Sequence, residues 1–161
     1  MSSPLSFRQA DSSADFATAR ALFREYAGAL GVDLCFQGFD AELETLETMY
    51  GPPRGCLLLA GRGSALAGCV AVRDLGGGTC EMKRLYLRPD ARGTGAGRAL
   101  AERALAFARG AGYRRMVLDT LPQMAAAQAL YRSLGFAECA PYYPNPLPGV
   151  RYLALELEPA A

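Results

Sequence analysis

Arg92-Gly93-Thr94-Gly95-Ala96-Gly97-Arg98 lies between a strand-like run, residues 81–87, and a helix-like run, residues 99–108, and its reading decides the fold. Three glycines alternating over five positions permit a tight turn and leave the main-chain amides bare. When a strand feeds such a loop and the loop opens a helix, several N–H groups point outward without intrahelical partners. The positive end of the helix dipole stands behind them, so the stretch is built to take an anion. Arg92 and Arg98 flank it with guanidinium forks suited to phosphate oxygens. Phosphate or pyrophosphate is the ligand this chemistry selects.

Two phosphate-binding patterns do not fit. A nucleoside-triphosphatase loop closes on Gly-Lys-Ser/Thr, and the chain's only lysine, Lys83, lies upstream on the strand. A dinucleotide fingerprint needs G-x-G-x-x-G, but from Gly93 the third glycine comes one position early and from Gly95 the slot holds Leu100. The loop spells R-x-x-G-x-G. Downstream come a helix pattern, a strand pattern over residues 115–119, a second helix pattern over 125–134, and Leu130-Tyr131-Arg132-Ser133-Leu134-Gly135-Phe136, which reads L-Y-x-x-x-G-F.

These two signatures, in this order and separated by a strand, resemble those of the GNAT superfamily of acyl-CoA-dependent N-acetyltransferases. The resemblance runs from about Glu81 to Phe136 and more loosely over the whole chain. It implies a GNAT-like acyltransferase fold with acetyl-CoA as acyl donor and no metal. Pyrophosphate would rest on Arg92, Gly93, Thr94, Gly95, Ala96, Gly97 and Arg98. The pantetheine arm would pair with the backbone of Leu85, Tyr86 and Leu87, where the family's central strand splays from its neighbour. Amides near Leu87 would polarise the carbonyl.

Tyr131 matches the family tyrosine beside the thioester sulfur. A phenol of pKa about 10 can protonate a thiolate whose conjugate acid has a pKa of about 8.5 when the two touch. The alternative is an ordinary core tyrosine. Glu81, eleven residues before Arg92, occupies the place where some members carry a glutamate base. Its alternative is a partner for Lys83, Arg84 or Arg115 on the sheet surface. Met124 departs from the family, which commonly has an asparagine seven residues before the tyrosine. Gln123 or main-chain groups are the candidates to replace that contact.

Composition agrees with one globular domain over residues 1–161: 51% hydrophobic, 20% charged, net charge +1. A balanced charge offers no field for nucleic acid or an anionic membrane. No apolar run approaches the ~18 residues of a membrane span, and the first residues do not read as a signal peptide. Five cysteines without C-x-x-C spacing point to reduced thiols in a cytoplasmic protein. Histidine is absent, which removes Ser-His-Asp and Cys-His chemistry and His-ligated metals. A general base must then be a carboxylate, tyrosine, cysteine or water.

The remaining pattern predicts an α+β fold: a mixed, mostly antiparallel sheet of about six or seven strands with about four helices. A strand at 5–8 leads to an N-cap cluster, Asp11-Ser12-Ser13, and an amphipathic helix to about Leu30, closed by Gly31. A second helix is expected over 40–49, before Gly51-Pro52-Pro53. Strands at 56–60 and 66–72 form a hairpin, and Gly76-Gly77-Gly78 turns into the strand at 80–87. A last strand covers 150–157.

Acceptor recognition is expected from the segments that vary in the family. Tyr142, Tyr143 and Asn145 lie on a loop with four prolines in nine residues, and Tyr26, Phe36 and Arg24 come from the helical side. Such a pocket suits a small amine with an apolar part, and an arginine there would hold a carboxylate. The expected activity is acetyl transfer to a small-molecule amine by direct attack. The alternatives are a non-catalytic acyl-CoA sensor and an acetyltransferase acting on a protein N-terminus or lysine. Many members of the superfamily pair through a terminal strand, so a homodimer is also implied.

Overall fold

In a computed structural model, residues 4–31, 34 and 38–158 are described. Seven strands form one sheet in the order β1-β2-β3-β4-β5-β7-β6. They are β1 Leu5–Gln9, β2 Cys56–Arg62, β3 Ala65–Gly76, β4 Thr79–Leu87, β5 Arg115–Thr120, β6 Ala137–Glu138 and β7 Arg151–Glu156. All neighbours are antiparallel except β4 and β5, which the crossover through helix α4 (Ala96–Gly110) makes parallel. The α+β, mostly antiparallel sheet is therefore as the sequence predicts. Among the described residues no helix is long and apolar enough to cross a membrane.

Alternation along β2 divides the core. Cys56, Leu58 and Ala60 pack beneath α4 and α5 (Ala125–Ser133), whereas Leu57 and Leu59 pack beneath α1 (Ser13–Leu30). Helix α1 starts where the Ser12 hydroxyl accepts from the Asp15 amide at 3.1 Å, and it ends at Gly31 with φ 68°. Its buried residues, Phe16, Ala19, Leu22 and Phe23, repeat at three- and four-residue spacing. The face of α4 that meets the sheet carries Leu100, Ala101, Ala104, Leu105 and Ala108, small enough for close approach.

Three elements differ from expectation. The helix expected over 40–49 is broken into α2 (Phe39–Glu44) and α3 (Leu46–Met49), giving five α-helices among the described residues. At the break, Thr45 has φ −124° and its Oγ1 donates to the Ala41 carbonyl at 2.8 Å, a side-chain bond that competes with the helical ladder. Helix α4 begins at Ala96, three residues earlier than expected, because Gly95 at φ 85° already serves as its N-cap. The two-residue β6 carries too short a pattern to be read from sequence.

The sheet opens between β4 and β5. Their pairing covers only Thr79↔Arg115, Cys80↔Met116 and Glu81↔Val117, and beyond Glu81 the strands diverge. On its other side β4 is bulged against β3, with the register shifting between Cys69↔Tyr86 and Ala71↔Lys83. The extra residue sits around Arg84, whose φ of 60° is the one positive value outside glycine among the described residues.

Candidate active site

An apolar cleft of about 410 Å³ occupies the split. Its walls are Tyr26, Ala29 and Leu30 of α1, Leu85, Tyr86 and Leu87 of β4, and Gln123 to Ala127 leading into α5, with Leu130 further along that helix. Arg92 and Gly97 close one end. Because β5 has left β4 by this point, the split-side main chain of Leu85 to Leu87 is not consumed by sheet pairing.

The glycine loop stands at that end. Gly93 (φ 75°) and Gly95 (φ 85°) adopt left-handed backbone that a side chain would strain. The Gly95 cap contributes no side-chain acceptor to the first turn, and its carbonyl takes only the Ala99 amide, at 3.1 Å. The amides of Ala96, Gly97 and Arg98 thus stand uncapped at the positive end of a fifteen-residue helix. Arg92 and Arg98 are both exposed beside it. Arg92 Nε donates to the Leu87 carbonyl at 3.3 Å, and Arg98 donates to Ser133 Oγ at 2.5 Å and meets Glu102 at 3.8 Å. Thr94 turns inward, donating to the Ala91 carbonyl at 2.5 Å. An apolar slot leading to an anion cradle fits coenzyme A, with its extended arm and diphosphate.

Tyr131 is buried on α5, edge-on to Phe136 with ring centroids 5.8 Å apart. Burial pushes its phenol pKa upward, and the charges of Tyr26 and Asp119 add to the effect. Met124 is the N-cap residue of α5 and supplies no capping bond. Its sulfur takes the Thr120 hydroxyl at 4.0 Å, and both Gln123 and Met124 face the cleft.

Glu81 lies at the apex of the split, 1% exposed. Its hydrogen-bond partners are none of the three cations expected as the alternative, although its charge attracts one of them, Lys83. Arg73, directly across in the β3 register, donates to Oε1 at 2.7 Å, and Tyr142 donates to Oε2 at 2.5 Å. The proline-rich loop therefore reaches the apex. Its Tyr143 hydroxyl and Asn145 Nδ2, the latter at 3.1 Å, both donate to Asp119 Oδ2 at the end of β5. Tyr142, Tyr143 and Tyr152 pack against one another with centroids 5.3 to 5.8 Å apart.

A second, smaller cavity of about 30 Å³ opens on this side, lined by Lys83 and Arg84 of β4, Asp119 of β5, and Asn145 and Leu147 of the loop. Tyr26 and Leu30 line both cavities, so the two adjoin at the last turns of α1. Of the residues expected to meet an acceptor, Tyr26 and Asn145 line this pocket, and Tyr142 and Tyr143 are tied to its surroundings through Glu81 and Asp119. Arg24 is exposed on α1 and lines neither cavity. Phe36 lies outside the described residues. Sequence reading passed over Asp119 and the place of Lys83 in this pocket. An acid closing an apolar strand, and a lone lysine two residues past Glu81, were the available signals.

Residues 19–136 match the family model described as Acetyltransferase (GNAT) family. The chain is 48% identical over 139 residues to an N-acetyltransferase of Schizosaccharomyces pombe, a match covering 84% of this chain and 85% of the relative. An acetyltransferase structure from Streptococcus agalactiae superposes with a TM-score of 0.78 at 20% identity, covering 95% of this chain and 98% of that one. An acetyltransferase from Salmonella typhimurium, solved with its cofactor acetyl-CoA, superposes with a TM-score of 0.69 at 24% identity over 99% of this chain and 97% of its own. The chain belongs to the acetyltransferase (GNAT) family, enzymes that draw their acyl group from acetyl-CoA.

Proposed function

We propose that this protein transfers the acetyl group of acetyl-CoA to the primary amine of a small cytoplasmic molecule, an amino acid or a related amine, by direct attack. The observation that carries the reading is the junction of two unlike cavities at Tyr26 and Leu30, one apolar and ending at the glycine loop, the other lined with charge. Acetyl-CoA bound in the first supplies an acetyl thioester activated toward a neutral amine. The uncapped amides of α4 with Arg92 and Arg98 hold its diphosphate, and the main chain of Leu85 to Leu87 pairs with its arm.

On this reading the chain's own groups manage the protons. Tyr131, with its raised pKa, keeps its phenolic proton at neutral pH and delivers it from Oη to the departing sulfur. Glu81, oriented by Arg73 and Tyr142, removes the amine proton directly or through water. Direct attack is favoured over a covalent enzyme intermediate because the buried thiols are poor nucleophiles: burial pushes Cys56 and Cys80 up to about 12 and Cys69 up as well. The proline-rich loop, bonded to Glu81 through Tyr142 and to Asp119 through Tyr143 and Asn145, borders the second cavity and favours a small acceptor over a protein chain.

The test is a panel of amino acids and amines, with thiol release from acetyl-CoA followed alongside the mass of the acetylated product. Stoichiometric acetyl-amine and free thiol support the assignment. Tight acetyl-CoA binding with no acetylated product from any amine, amino acid or peptide would point instead to a sensor.

A further inference from the structure

We propose that Tyr26 sets the length of the acyl group, its ring closing the donor cleft beyond a two-carbon chain so that acetyl-CoA is taken and longer acyl-CoAs are refused. This rests on the transferase reading above and specifies its donor.

The cleft has a direction. It begins beside Leu87, where Arg92 and Gly97 mark the diphosphate end, and follows β4 back past Tyr86 to Leu85. The next residues back along the strand, Arg84 and Lys83, line the smaller cavity instead. A coenzyme with its diphosphate at the glycine loop therefore directs its thioester, at the far end of its arm, toward the junction of the two cavities. Among the described residues only Tyr26 and Leu30 line both, so these two form the partition. Tyr131, the proposed acid at sulfur, lies near enough to Tyr26 for the two charges to interact. The acyl carbons then run onto the partition.

Tyr26 is its rigid member. The ring stands edge-on to Tyr86, with centroids 6.1 Å apart and planes 81° apart, and the Arg84 guanidinium lies over it at 5.7 Å. Arg84 is in turn fixed by both oxygens of Glu42, at 2.8 and 3.0 Å. Swinging the ring aside gives up an aromatic contact and a cation–π contact together. Little space lies behind it. The cavity beyond measures about 30 Å³, room for about one or two waters, and Lys83, Arg84, Asp119 and Asn145 are among its walls. A chain longer than acetyl must displace the ring or push methylenes among polar groups whose hydration it cannot replace. An acetyl methyl stops short of both.

The experiment runs acetyl-, propionyl-, butyryl- and hexanoyl-CoA in parallel, by calorimetric binding and by thiol release with whichever amine wild type acetylates. Wild type should lose at least about tenfold in kcat/KM for each methylene beyond acetyl, the scale on which a pocket rejects one methylene. Tyr26→Ala should bring acetyl- and butyryl-CoA within about threefold of each other. It should also raise the absolute rate with butyryl-CoA, a gain that a merely loosened fold does not give. Tyr26→Phe keeps the ring and should keep the wild-type order; loss of that order would assign selection to the hydroxyl and overturn a steric stop. Should Tyr26→Ala not fold, Leu30→Ala opens the same partition, leaves the contact between Tyr26 and Arg84 in place, and should admit butyryl-CoA by the same criterion. Equal use of hexanoyl- and acetyl-CoA by wild type, or an acetyl preference that survives opening the partition in a folded variant, overturns the proposal. If no amine is acetylated but wild type binds acetyl-CoA over butyryl-CoA and Tyr26→Ala abolishes the difference, the stop stands and the transferase reading falls. Without transfer, acyl-CoA binding that is absent or indifferent to chain length overturns the stop.

Discussion

Glu42 and Arg84 form a two-pronged ion pair across 42 residues of chain, at 2.8 and 3.0 Å, with both side chains almost fully buried. Arg84 is also the residue whose left-handed backbone makes the bulge of β4, and its guanidinium lies over the rings of Tyr26 (5.7 Å) and Phe39 (5.2 Å). A non-glycine residue in that conformation costs on the order of 1–2 kcal/mol. The ion pair holds it there, and with it the path of β4 beside the apolar cleft.

Glu42→Gln should accordingly destabilise the fold by about 3–5 kcal/mol, the usual cost of leaving a buried charge without its partner. Urea unfolding measures this. The pH dependence has a definite sign. Burial opposes ionisation of Glu42, but the hydrogen bonds and charge of Arg84 outweigh it and hold the carboxyl below its ordinary value of 4.5. Its stabilisation is thus complete above that value and is lost as pH falls through the lower, folded value. Glu42→Gln should flatten this acid limb; an unchanged acid midpoint would show that Glu42 does not govern it.

Tyr131→Phe keeps the ring and its edge contact with Phe136, so unfolding should shift by less than about 1 kcal/mol. If the phenol supplies the proton to sulfur, kcat should fall by about 10²-fold or more while the KM for acetyl-CoA holds. An unchanged kcat removes Tyr131 as the acid and leaves it a core residue.

Glu81→Gln removes the proposed base but keeps an oxygen to accept from Arg73 and puts an NH₂ where the Tyr142 hydroxyl can turn to accept. Activity should drop most at neutral pH and below, where the acceptor amine is still protonated, and recover partly as alkaline pH deprotonates the amine in solution. A pH–rate profile parallel to wild type would place the base elsewhere, with Asp119 next to be tested.

Arg92→Ala and Arg98→Ala each remove an exposed guanidinium beside the α4 amides. Each should weaken coenzyme A by several-fold, with the loss shrinking at high salt. Gly95→Val acts differently. It strains the φ 85° cap and should cut affinity more steeply at any salt concentration. Affinity indifferent to all three substitutions would contradict a diphosphate at this loop.

Much of this was legible in the sequence because the signals are local. The glycine loop, the Ser12 cap, the Gly31 stop and the strand alternation each act within a few residues, where backbone sterics and side-chain period dictate the outcome. The mixed, mostly antiparallel sheet followed from the order of strand and helix patterns. What escaped depends on partners distant in the chain. A left-handed backbone reads as glycine in a sequence, so Arg84 gave no sign of the bulge, and its partner Glu42 belongs to another helix. The bonds of Glu81 to Arg73 and Tyr142, and of Asp119 to Tyr143 and Asn145, exist only once β3, β5 and the proline-rich loop converge. The family resemblance pointed to an opening beside β4 in advance, but the smaller, charged pocket emerged only from tertiary packing.

The central claim is that coenzyme A lies between the α4 amides and the open edge of β4. Isothermal titration calorimetry with acetyl-CoA, on wild type and on Gly95→Val shown by circular dichroism to be folded, tests it most directly. The account predicts saturable one-to-one binding to wild type and a marked loss in the variant. No heat from wild type at millimolar acetyl-CoA, or equal affinity in the two proteins, would contradict it.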